Sequence, residues 1–381
     1  MTIYLDNAAT SHPKPEGVVR AVAAALTEYN ANPGRSGHPA AIEAARRVLE
    51  TREALAGLLG AEDTLSVVFA FNGTDALNLA IKGSLRAGDH VIATQLELNS
   101  VLRVLAELEA RKRITLTLVA PRPDGFIDPE DVRAALNGRT SMIICTHASN
   151  VTGAIQPVAA IGRAAQRCGV RCLVDGAQAL GAMPVDVGAL GCDLYAFPGH
   201  KSLLGPQGTG GLYIRPGLPL GTLREGGTGS ASDSARQPRE LPERYESGTL
   251  NLPGIAGLGA GVGYVSGRIS QIMMHERELT SALMEGLASI PGIALYTPRE
   301  EAARAGIVSF NVGDLSSSQA ADALAARGFA VRGGLHCAPL AHRFLGTLRR
   351  GAVRASVGHA NTFEEIERFI GAVRSLADGR A

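Results

Sequence analysis

The sequence predicts an α/β protein with a mostly parallel, seven-stranded sheet that carries helices on both faces, followed by a smaller α/β unit. Seven short apolar runs between about residues 61 and 216 have the length and composition of strands. Stretches with helical spacing, such as EDVRAALNG and VAAIGRAAQRCG, lie between several of them. This alternation indicates a parallel sheet, because each parallel connection returns across the sheet through a helix.

The predicted strands of the large sheet are, in chain order, SVVFAF, HVIATQ, ITLTLVA, SMIICTH, RCLVD, DLYAF and GLYIR. A polar segment at 228–249 follows, and we expect an extended surface loop there. The next segment, GIAGLGAGVGYV (254–265), is rich in glycine, but its spacing does not match GxGxxG and it follows no strand. We therefore expect a closely packed helix start and not a nucleotide-binding loop.

A second α/β unit begins at about Gly292. GIVSFNV and GAVRASVG are predicted strands, and SSSQAADALAARG is a predicted serine-capped helix. NTFEEIERFIGAVRSL is a predicted helix that opens with a capping box of Thr362 and Glu365. A chain of 381 residues has room for two domains. The expected domains are a large one at 16–255 and a small one made of 1–15 and 256–381.

The net charge, the apolar runs and the cysteine spacing argue against several classes of function. The formal net charge of +1 argues against an extended nucleic-acid or membrane-binding surface. We find no apolar run long enough to span a bilayer and no signal peptide, so we expect a cytoplasmic protein. The five cysteines form no CxxC pair, and we expect no metal site. The cysteines that we expect to be buried packing residues are Cys145, Cys168, Cys172 and Cys192.

Two neighbouring predicted strands end in residues that can carry chemistry. VDGAQ ends a strand at Asp175 and also carries Gln178, and a later strand runs into a glycine turn with His200 and Lys201. Ligands of open α/β sheets lie beyond the carboxyl ends of the strands, so we expect Asp175 and Lys201 to face one crevice. A lysine that can form a Schiff base and an acid that can pair with a pyridinium nitrogen favour pyridoxal phosphate (PLP) chemistry. Gln178 can hydrogen-bond the phenolic oxygen of such a ring.

Two further places can bind anionic groups. FNGTDALNLAIKG follows a strand and opens a helix at Gly73 and Thr74, which is the setting of a phosphate site, with His200 as a further donor. An ordinary helix cap is the alternative for this turn. Arg354, in the strand AVRAS, can hold a carboxylate with its planar fork, or it can form a structural ion pair.

Cys337 differs from the other cysteines in its neighbours. It lies in VRGGLHCAPLAHRF, where the glycines and prolines indicate an irregular loop. Arg332, His336 and His342 are close in sequence and can lower the pKa of a thiol as cations or donors. This is the setting of a reactive cysteine.

The order of these motifs resembles the class V aminotransferase family, and in particular its cysteine desulfurase and selenocysteine lyase branch. The HCAP form is most similar to the group II, SufS-like side of that branch. The resemblance implies a PLP-dependent fold type I homodimer with active sites at the subunit interface. The segments that carry it are YLDNAAT (4–10), NGTDALN (72–78), HASNVTG (147–153), VDGAQ, GHK, YESGTLN (245–251), LHCAPLAHRFLGT and VRAS.

The resemblance also implies a reaction. Lys201 takes the Cα proton of L-cysteine, and the Cys337 thiolate attacks the substrate sulfur. Alanine leaves, and the persulfide sulfur passes to an acceptor protein or thiol. The implied cofactor-binding residues are Gly73, Thr74, Leu98, Asn150, Asp175, Gln178, His200 and Lys201, with Thr249 reaching the phosphate of the neighbouring subunit. The implied substrate-binding residues are Ala8, Asn150, Arg332 and Arg354.

Two positions depart from the family pattern. Leu98 stands where relatives usually have a histidine that stacks on the ring and moves protons, so His147, His336 or water has to replace it. Pro198 stands where relatives usually have a phosphate-binding Ser or Thr, and proline removes both a hydroxyl and an amide donor. Leu335 replaces a second histidine. These differences leave open a PLP lyase for selenocysteine, cystine or cysteine sulfinate, or a weakly active PLP-binding partner protein for sulfur transfer.

Overall fold

The computed structural model describes residues 2–34, 36–230 and 232–379. Short 3₁₀ turns lie at Thr64–Ser66 and Glu301–Ala303. The α-helices are α1 (Glu16–Thr27), α2 (Pro39–Leu59), α3 (Gly73–Ser84), α4 (Asn99–Ala110), α5 (Pro129–Ala134), α6 (Val158–Arg167), α7 (Val187–Leu190), α8 (Leu252–Ser266), α9 (Ile269–Ala288), α10 (Ser317–Ala326), α11 (Pro339–Phe344) and α12 (Phe363–Ala377). The strands are β1 (Ile3–Tyr4), β2 (Val67–Ala70), β3 (Asp89–Thr94), β4 (Ile114–Val119), β5 (Thr140–Thr146), β6 (Arg171–Asp175), β7 (Leu194–Pro198), β8 (Gly210–Ile214), β9 (Ile293–Leu295), β10 (Ile307–Val312), β11 (Phe329–Ala330), β12 (Arg332–Gly334) and β13 (Ala352–Ser356).

The large sheet contains all seven strands predicted for it. Its order is β2-β8-β7-β6-β5-β3-β4. The five strands from β7 to β4 run parallel, and β8 is antiparallel to both β2 and β7. The prediction of a mostly parallel seven-stranded sheet is therefore confirmed.

Helices cover both faces of this sheet, and alternate residues of a strand therefore point into two different cores. In β5, Ile143 and Cys145 join a core that also contains residues of α2, α6 and α8. Met142 and Ile144 join a second core with residues of α3 and α4. A strand buried on both faces is apolar at most positions, and this explains the nearly continuous apolar runs in central strands such as β5 and β6.

The smaller unit is built on the antiparallel sheet β12-β13-β10-β9. Both predicted strands and both predicted helices of this region are present as β10, β13, α10 and α12. Ser316 caps α10, and the capping box of Thr362 and Glu365 opens α12. The N-terminus joins this unit, since β1 pairs with β11 and Asp6 bridges to Ser356. The domain division at residue 255 stays a prediction, and that position lies inside α8.

The glycine-rich segment at 254–265 is helical, as expected, and forms most of α8. Its glycines permit close contact with other parts of the main chain. A Cβ atom at Gly261 would lie 2.4 Å from the carbonyl oxygen of Leu203. The loop at 228–249 contains no helix or strand in its described part, also as expected.

Three of the four cysteines expected in the core are buried, namely Cys145, Cys172 and Cys192. The prediction is wrong for Cys168, which is exposed. This residue caps the C-terminus of α6, whose buried face is formed by Ile161 and other residues one or more turns earlier. The last turn of the helix therefore reaches solvent. Within the described ranges, we find no helix with the length and apolarity that a membrane crossing requires.

Candidate active site

Asp175 and Lys201 follow neighbouring parallel strands at the same edge of the sheet. Asp175 is the last residue of β6, where it pairs with Ala196 of β7. Lys201 lies three residues beyond the end of β7. Each side chain shifts the pKa of the other, so the two charges are close. They form no direct ion pair in the part of the chain that the structure describes.

Burial controls the charge of both groups. It lowers the pKa of Lys201 to about 8, and attraction to Asp175 opposes this effect. Repulsion from Arg354 and Arg332 lowers the same pKa further, whereas Cys337 raises it. Burial raises the pKa of the Asp175 carboxyl, which the amide N–H of Ala177 and the charge of Lys201 partly reverse. At neutral pH the amine therefore loses its proton more easily than an exposed lysine does.

Gln178 and His200 lie beside this pair, next to the N-terminal segment. The Gln178 side-chain amide donates to the carbonyl oxygen of Ala8 at 3.0 Å, and the Ala8 amide donates to Ser356 Oγ at 2.9 Å. The His200 Nδ1 atom is buried without a hydrogen-bond partner among the described residues. Burial lowers the pKa of His200 to about 4, with further lowering by Lys201 and Lys14. The imidazole is thus neutral and has one free ring nitrogen.

The predicted phosphate turn opens α3. Asn72 caps the helix by accepting from the Asp75 amide at 2.9 Å, and Gly73 is the first helical residue. A Cβ atom at Gly73 would lie 3.4 Å from Pro198 Cδ, so the turn packs directly against the end of β7. Thr74 is exposed, and its Oγ1 lies 2.8 Å from Ser100 Oγ. The turn therefore offers free amides and a hydroxyl next to Pro198.

Leu98 is the residue that precedes α4, and it is partly buried. The amide of the following residue, Asn99, donates to the carbonyl oxygen of Cys337 at 2.7 Å. This hydrogen bond connects the start of α4 to the loop that carries the thiol.

Glu97 is a buried carboxyl that sequence reasoning did not assign to the site. It is 0% exposed, and its Oε1 accepts from Thr94 Oγ1 at 2.7 Å and from the Thr146 amide at 2.9 Å. Burial raises the pKa of Glu97 to about 8, and the negative charge of Asp175 adds to this effect. The apolar neighbours of Glu97 in QLELN were a hint of its burial.

Arg354 is almost fully buried at the centre of β13. Its Nη2 donates to Asp6 Oδ1 at 3.0 Å, and its Nη1 donates to the carbonyl oxygen of Asn150 at 3.1 Å. Its Nε atom is buried without a partner in the described chain. Arg332 lies directly opposite on β12. The guanidinium therefore forms an ion pair and still retains a free Nε donor.

Cys337 is exposed and lies in an unusual backbone conformation. Both His336 and Cys337 have positive φ angles, of 49° and 60°. Arg332 Nη2 lies 3.8 Å from the Cys337 sulfur, while the Asn150 side chain donates to the carbonyl oxygen of His336 at 2.5 Å. His336 and His342 were expected to be cations or donors near the thiol. Burial lowers the pKa of His336 to about 3 and of His342 to about 4, which argues against the cationic role, while the donor role stays a prediction. Arg332 is the cation that contacts the sulfur.

His147 directly follows the neighbouring strand β5 and lies next to Asp175: the main-chain amide of His147 donates to the carbonyl oxygen of Asp175 at 2.8 Å. Its Nδ1 is 3.0 Å from the hydroxyl of Tyr195. Burial lowers the pKa of His147 to about 4, so this ring is also neutral.

Thr249 is exposed and lines a surface cavity together with Phe71 and Arg224. The segment before it is held by Glu246, which forms a buried ion pair with Arg52 at 2.6 Å between Nη1 and Oε1. Phe71 directly precedes the phosphate turn. The cavity that Thr249 lines therefore lies next to the phosphate turn.

A family model and two named relatives match nearly the whole chain. The model for aminotransferase class V matches residues 3–369. The chain is 38% identical to a protein of Methanothermobacter thermautotrophicus named probable cysteine desulfurase, over 96% of this chain and 92% of that protein. It is 36% identical to a cysteine desulfurase of Klebsiella pneumoniae, over 98% of this chain and 93% of that one.

Solved structures agree with these relatives. The structure of a cysteine desulfurase from Thermococcus onnurineus NA1 in its apo form matches with a TM-score of 0.93 and 33% identity, over 99% of this chain and 95% of that one. The cysteine desulfurase CsdA of Escherichia coli matches with a TM-score of 0.89 and 28% identity, over 98% and 94%. The fold type I expected from the sequence is thus confirmed. Enzymes of this kind depend on PLP. Together, these matches place the chain in the class V aminotransferase family.

Proposed function

We propose that this protein is a PLP-dependent cysteine desulfurase, which converts L-cysteine to L-alanine and transfers the sulfur first to Cys337. Named cysteine desulfurases match it along almost its full length. The main structural support is the group of charged side chains around the amine of Lys201. Lys201 is close enough to Asp175, Arg354, Arg332 and Cys337 for each of them to shift its pKa.

The residues present fit the cofactor. Bound PLP would supply an aldehyde and an electron-withdrawing ring. We propose that Lys201 holds it covalently, that Asp175 pairs with the ring nitrogen and that Gln178 contacts the phenolic oxygen. The free amides of Gly73 and Thr74 and the unpartnered Nδ1 of His200 suit its phosphate. Since Pro198 lacks a hydroxyl, these donors carry more of the phosphate binding than a Ser or Thr in its place would require.

We assign the substrate carboxylate to Arg354, with Arg332, Asn150 and Ala8 around it. The Nε donor of Arg354 has no partner among the described residues and can bind an incoming carboxylate. Lys201, whose pKa is about 8, can take the Cα proton near neutral pH.

Cys337 then attacks the sulfur of the substrate. A new S–S bond forms as the C–S bond breaks, so the substrate sulfur becomes the outer sulfur of a persulfide on Cys337. The electron pair of the C–S bond stays with the carbon skeleton, which takes up a proton at Cβ and one at Cα, supplied by Lys201 and water, and leaves as alanine. The exposed position of Cys337 suits a second transfer, to an acceptor protein or thiol. Arg332 Nη2 lies 3.8 Å from the sulfur and can orient it toward the substrate.

Leu98 packs on the cofactor ring in this proposal but cannot move a proton. His147 and His336 are both neutral and already bonded, to Tyr195 and to Arg332. We therefore assign proton transfer to Lys201 and water.

The proposal includes a homodimer in which Thr249 reaches the phosphate of the partner. Exposed apolar side chains on α1 and α2 are consistent with a subunit contact, namely Val19, Leu26, Ile42 and Leu49. Cytoplasmic location stays a prediction.

The test is a product assay on wild type, Cys337→Ala and the control Cys168→Ala, with L-cysteine and L-selenocysteine in parallel. We expect alanine and sulfide from wild type and Cys168→Ala, and no sulfide from Cys337→Ala. Sulfide release by Cys337→Ala would contradict the persulfide route. A strong preference for selenocysteine would instead favour the related lyase that Leu98 leaves open, and absence of alanine from both substrates would favour a partner protein.

A further inference from the structure

The thiol loop contains two consecutive residues in the left-handed region of backbone conformation. His336 and Cys337 have φ angles of 49° and 60°, although neither is glycine. A side chain disfavours this region because Cβ approaches the following carbonyl oxygen. Such conformations persist only where surrounding contacts hold them. The contacts around this turn therefore determine where the sulfur lies.

Main-chain hydrogen bonds hold one side of the turn. The Asn150 side chain donates to the carbonyl oxygen of His336 at 2.5 Å. The Asn99 amide donates to the carbonyl oxygen of Cys337 at 2.7 Å. The side chain of Cys337 itself is exposed, so it contributes little to its own placement.

A buried chain of side chains holds the other side. His336 Nε2 lies 3.1 Å from the carbonyl oxygen of Arg332, and His336 Nδ1 lies 3.3 Å from His342 Nε2. His342 Nδ1 lies 2.8 Å from Thr347 Oγ1. All three residues are buried, with exposed fractions of 2% for His336, 0% for His342 and 4% for Thr347. The chain thus runs from the loop to the residues that follow α11.

The carbonyl end of this chain fixes the direction of every hydrogen bond in it. A carbonyl oxygen only accepts, so His336 Nε2 donates to it. Burial keeps this ring neutral, so His336 Nδ1 is an acceptor. His342 Nε2 then donates to it, which leaves His342 Nδ1 to accept from the Thr347 hydroxyl at 2.8 Å. The other acceptor near this hydroxyl, the carbonyl oxygen of His342, is farther away at 3.4 Å. Each ring carries one N–H and no charge. A buried network with every member satisfied holds a single arrangement of the groups that it joins.

We propose that His342 and Thr347 are positioning residues, which act through His336 to hold Cys337 in the left-handed conformation used for sulfur transfer. The proposal deepens the function proposed above and rests on Cys337 as its nucleophile. Without the chain, the ring of His336 loses its anchor, and the turn relaxes toward negative φ with a displaced sulfur.

The test removes one hydroxyl and then restores it. Thr347→Val deletes the donor with little change in shape, and Thr347→Ser keeps the donor. We expect Thr347→Val to lower kcat for alanine formation by about tenfold or more, with KM for L-cysteine and the visible cofactor absorbance nearly unchanged. Thr347→Ser should stay close to wild type. Wild-type kcat in a folded Thr347→Val, or an equally slow Thr347→Ser, would overturn the proposal.

A second pair of variants serves if Thr347→Val does not fold. His342→Gln keeps an N–H that can donate to His336, whereas His342→Leu does not, so the glutamine variant should be the faster one. Equal rates for the two folded proteins would overturn the proposal.

A further readout is independent of turnover. The alkylation rate of Cys337 with iodoacetamide, measured relative to the exposed Cys168 of the same molecule, should change in Thr347→Val and return in Thr347→Ser. An unchanged ratio would overturn the positioning role. If Cys337→Ala still releases sulfide, the proposed function fails, while this ratio continues to test the conformation of the loop.

Discussion

The guanidinium of Arg354 donates to the carboxylate of Asp6 at 3.0 Å between Nη2 and Oδ1. Arg354 lies on β13, and Asp6 lies between β1 and the first helix. The N-terminal segment therefore sets the orientation of the fork to which we assign the substrate carboxylate.

This ion pair leads to the first prediction. Asp6→Asn keeps the shape but removes the charge, so the fork loses its strongest partner and is free to rotate. We expect KM for L-cysteine to rise about tenfold, equivalent to ~1.4 kcal/mol of binding, with a smaller change in kcat. Steady-state kinetics measures both. Asp193→Asn, which alters the Asp193–Arg215 pair before β7, is the matched control and should leave KM unchanged.

The second prediction concerns Lys201. Lys201→Ala should abolish alanine formation and the visible absorbance of the purified protein, because the covalent attachment point of the cofactor is lost. Lys82→Ala removes an exposed lysine of α3 and should change neither. An absorption spectrum of each protein decides the matter, and a Lys201→Ala protein that remains yellow with bound aldehyde would contradict the assignment.

The third prediction concerns the pH dependence of stability through Glu97. The folded protein keeps a proton on Glu97 up to about pH 8, whereas the unfolded chain loses it near its ordinary pKa of 4.5. Between these values the unfolded chain binds fewer protons, so this residue makes the free energy of unfolding fall as pH rises. Glu97→Gln should remove that part of the slope.

Urea unfolding of the apoprotein at several pH values from 5 to 8 would measure the slope. The exposed Glu53→Gln is the control and should keep the slope of wild type. Parallel curves for wild type and Glu97→Gln would mean that Glu97 is ionised in the folded protein.

The fourth prediction concerns Leu98. Leu98→His places an imidazole at the start of α4, where it can stack on the ring and move protons. We expect a higher kcat for desulfuration if the missing imidazole limits turnover. Leu98→Ala, which removes packing and adds no proton donor, should be slower than wild type. An unchanged or lower kcat in Leu98→His would assign the proton transfer to a group already present.

Local patterns predicted much of the fold. All seven strands of the large sheet were predicted from apolar runs. These runs are most continuous in central strands such as β6, which are buried on both faces, whereas the edge strand β4 is only partly buried. The capping box at Thr362 was also visible, since it involves residues only three positions apart. The positions of Asp175 and Lys201 followed from a general rule about strand ends.

Other features depend on contacts between distant parts of the chain, and the sequence did not reveal them. The Asp6–Arg354 pair joins residues 348 positions apart. His336 and His342 were expected to be cations or donors, but only the fold determines that both are buried and neutral. The exposure of Cys168 depends on where α6 ends relative to the core. In each of these cases the environment, and not the residue type, decides the chemistry.

The close approach of α8 to the main chain has a consequence for how the protein can vary. Gly261 leaves no space for a methyl group beside the carbonyl of Leu203, two residues after Lys201. An alanine there would force the main chain at Leu203 to shift, close in sequence to the lysine to which we assign the cofactor. Variants made to alter the substrate preference would therefore have to keep glycine at position 261.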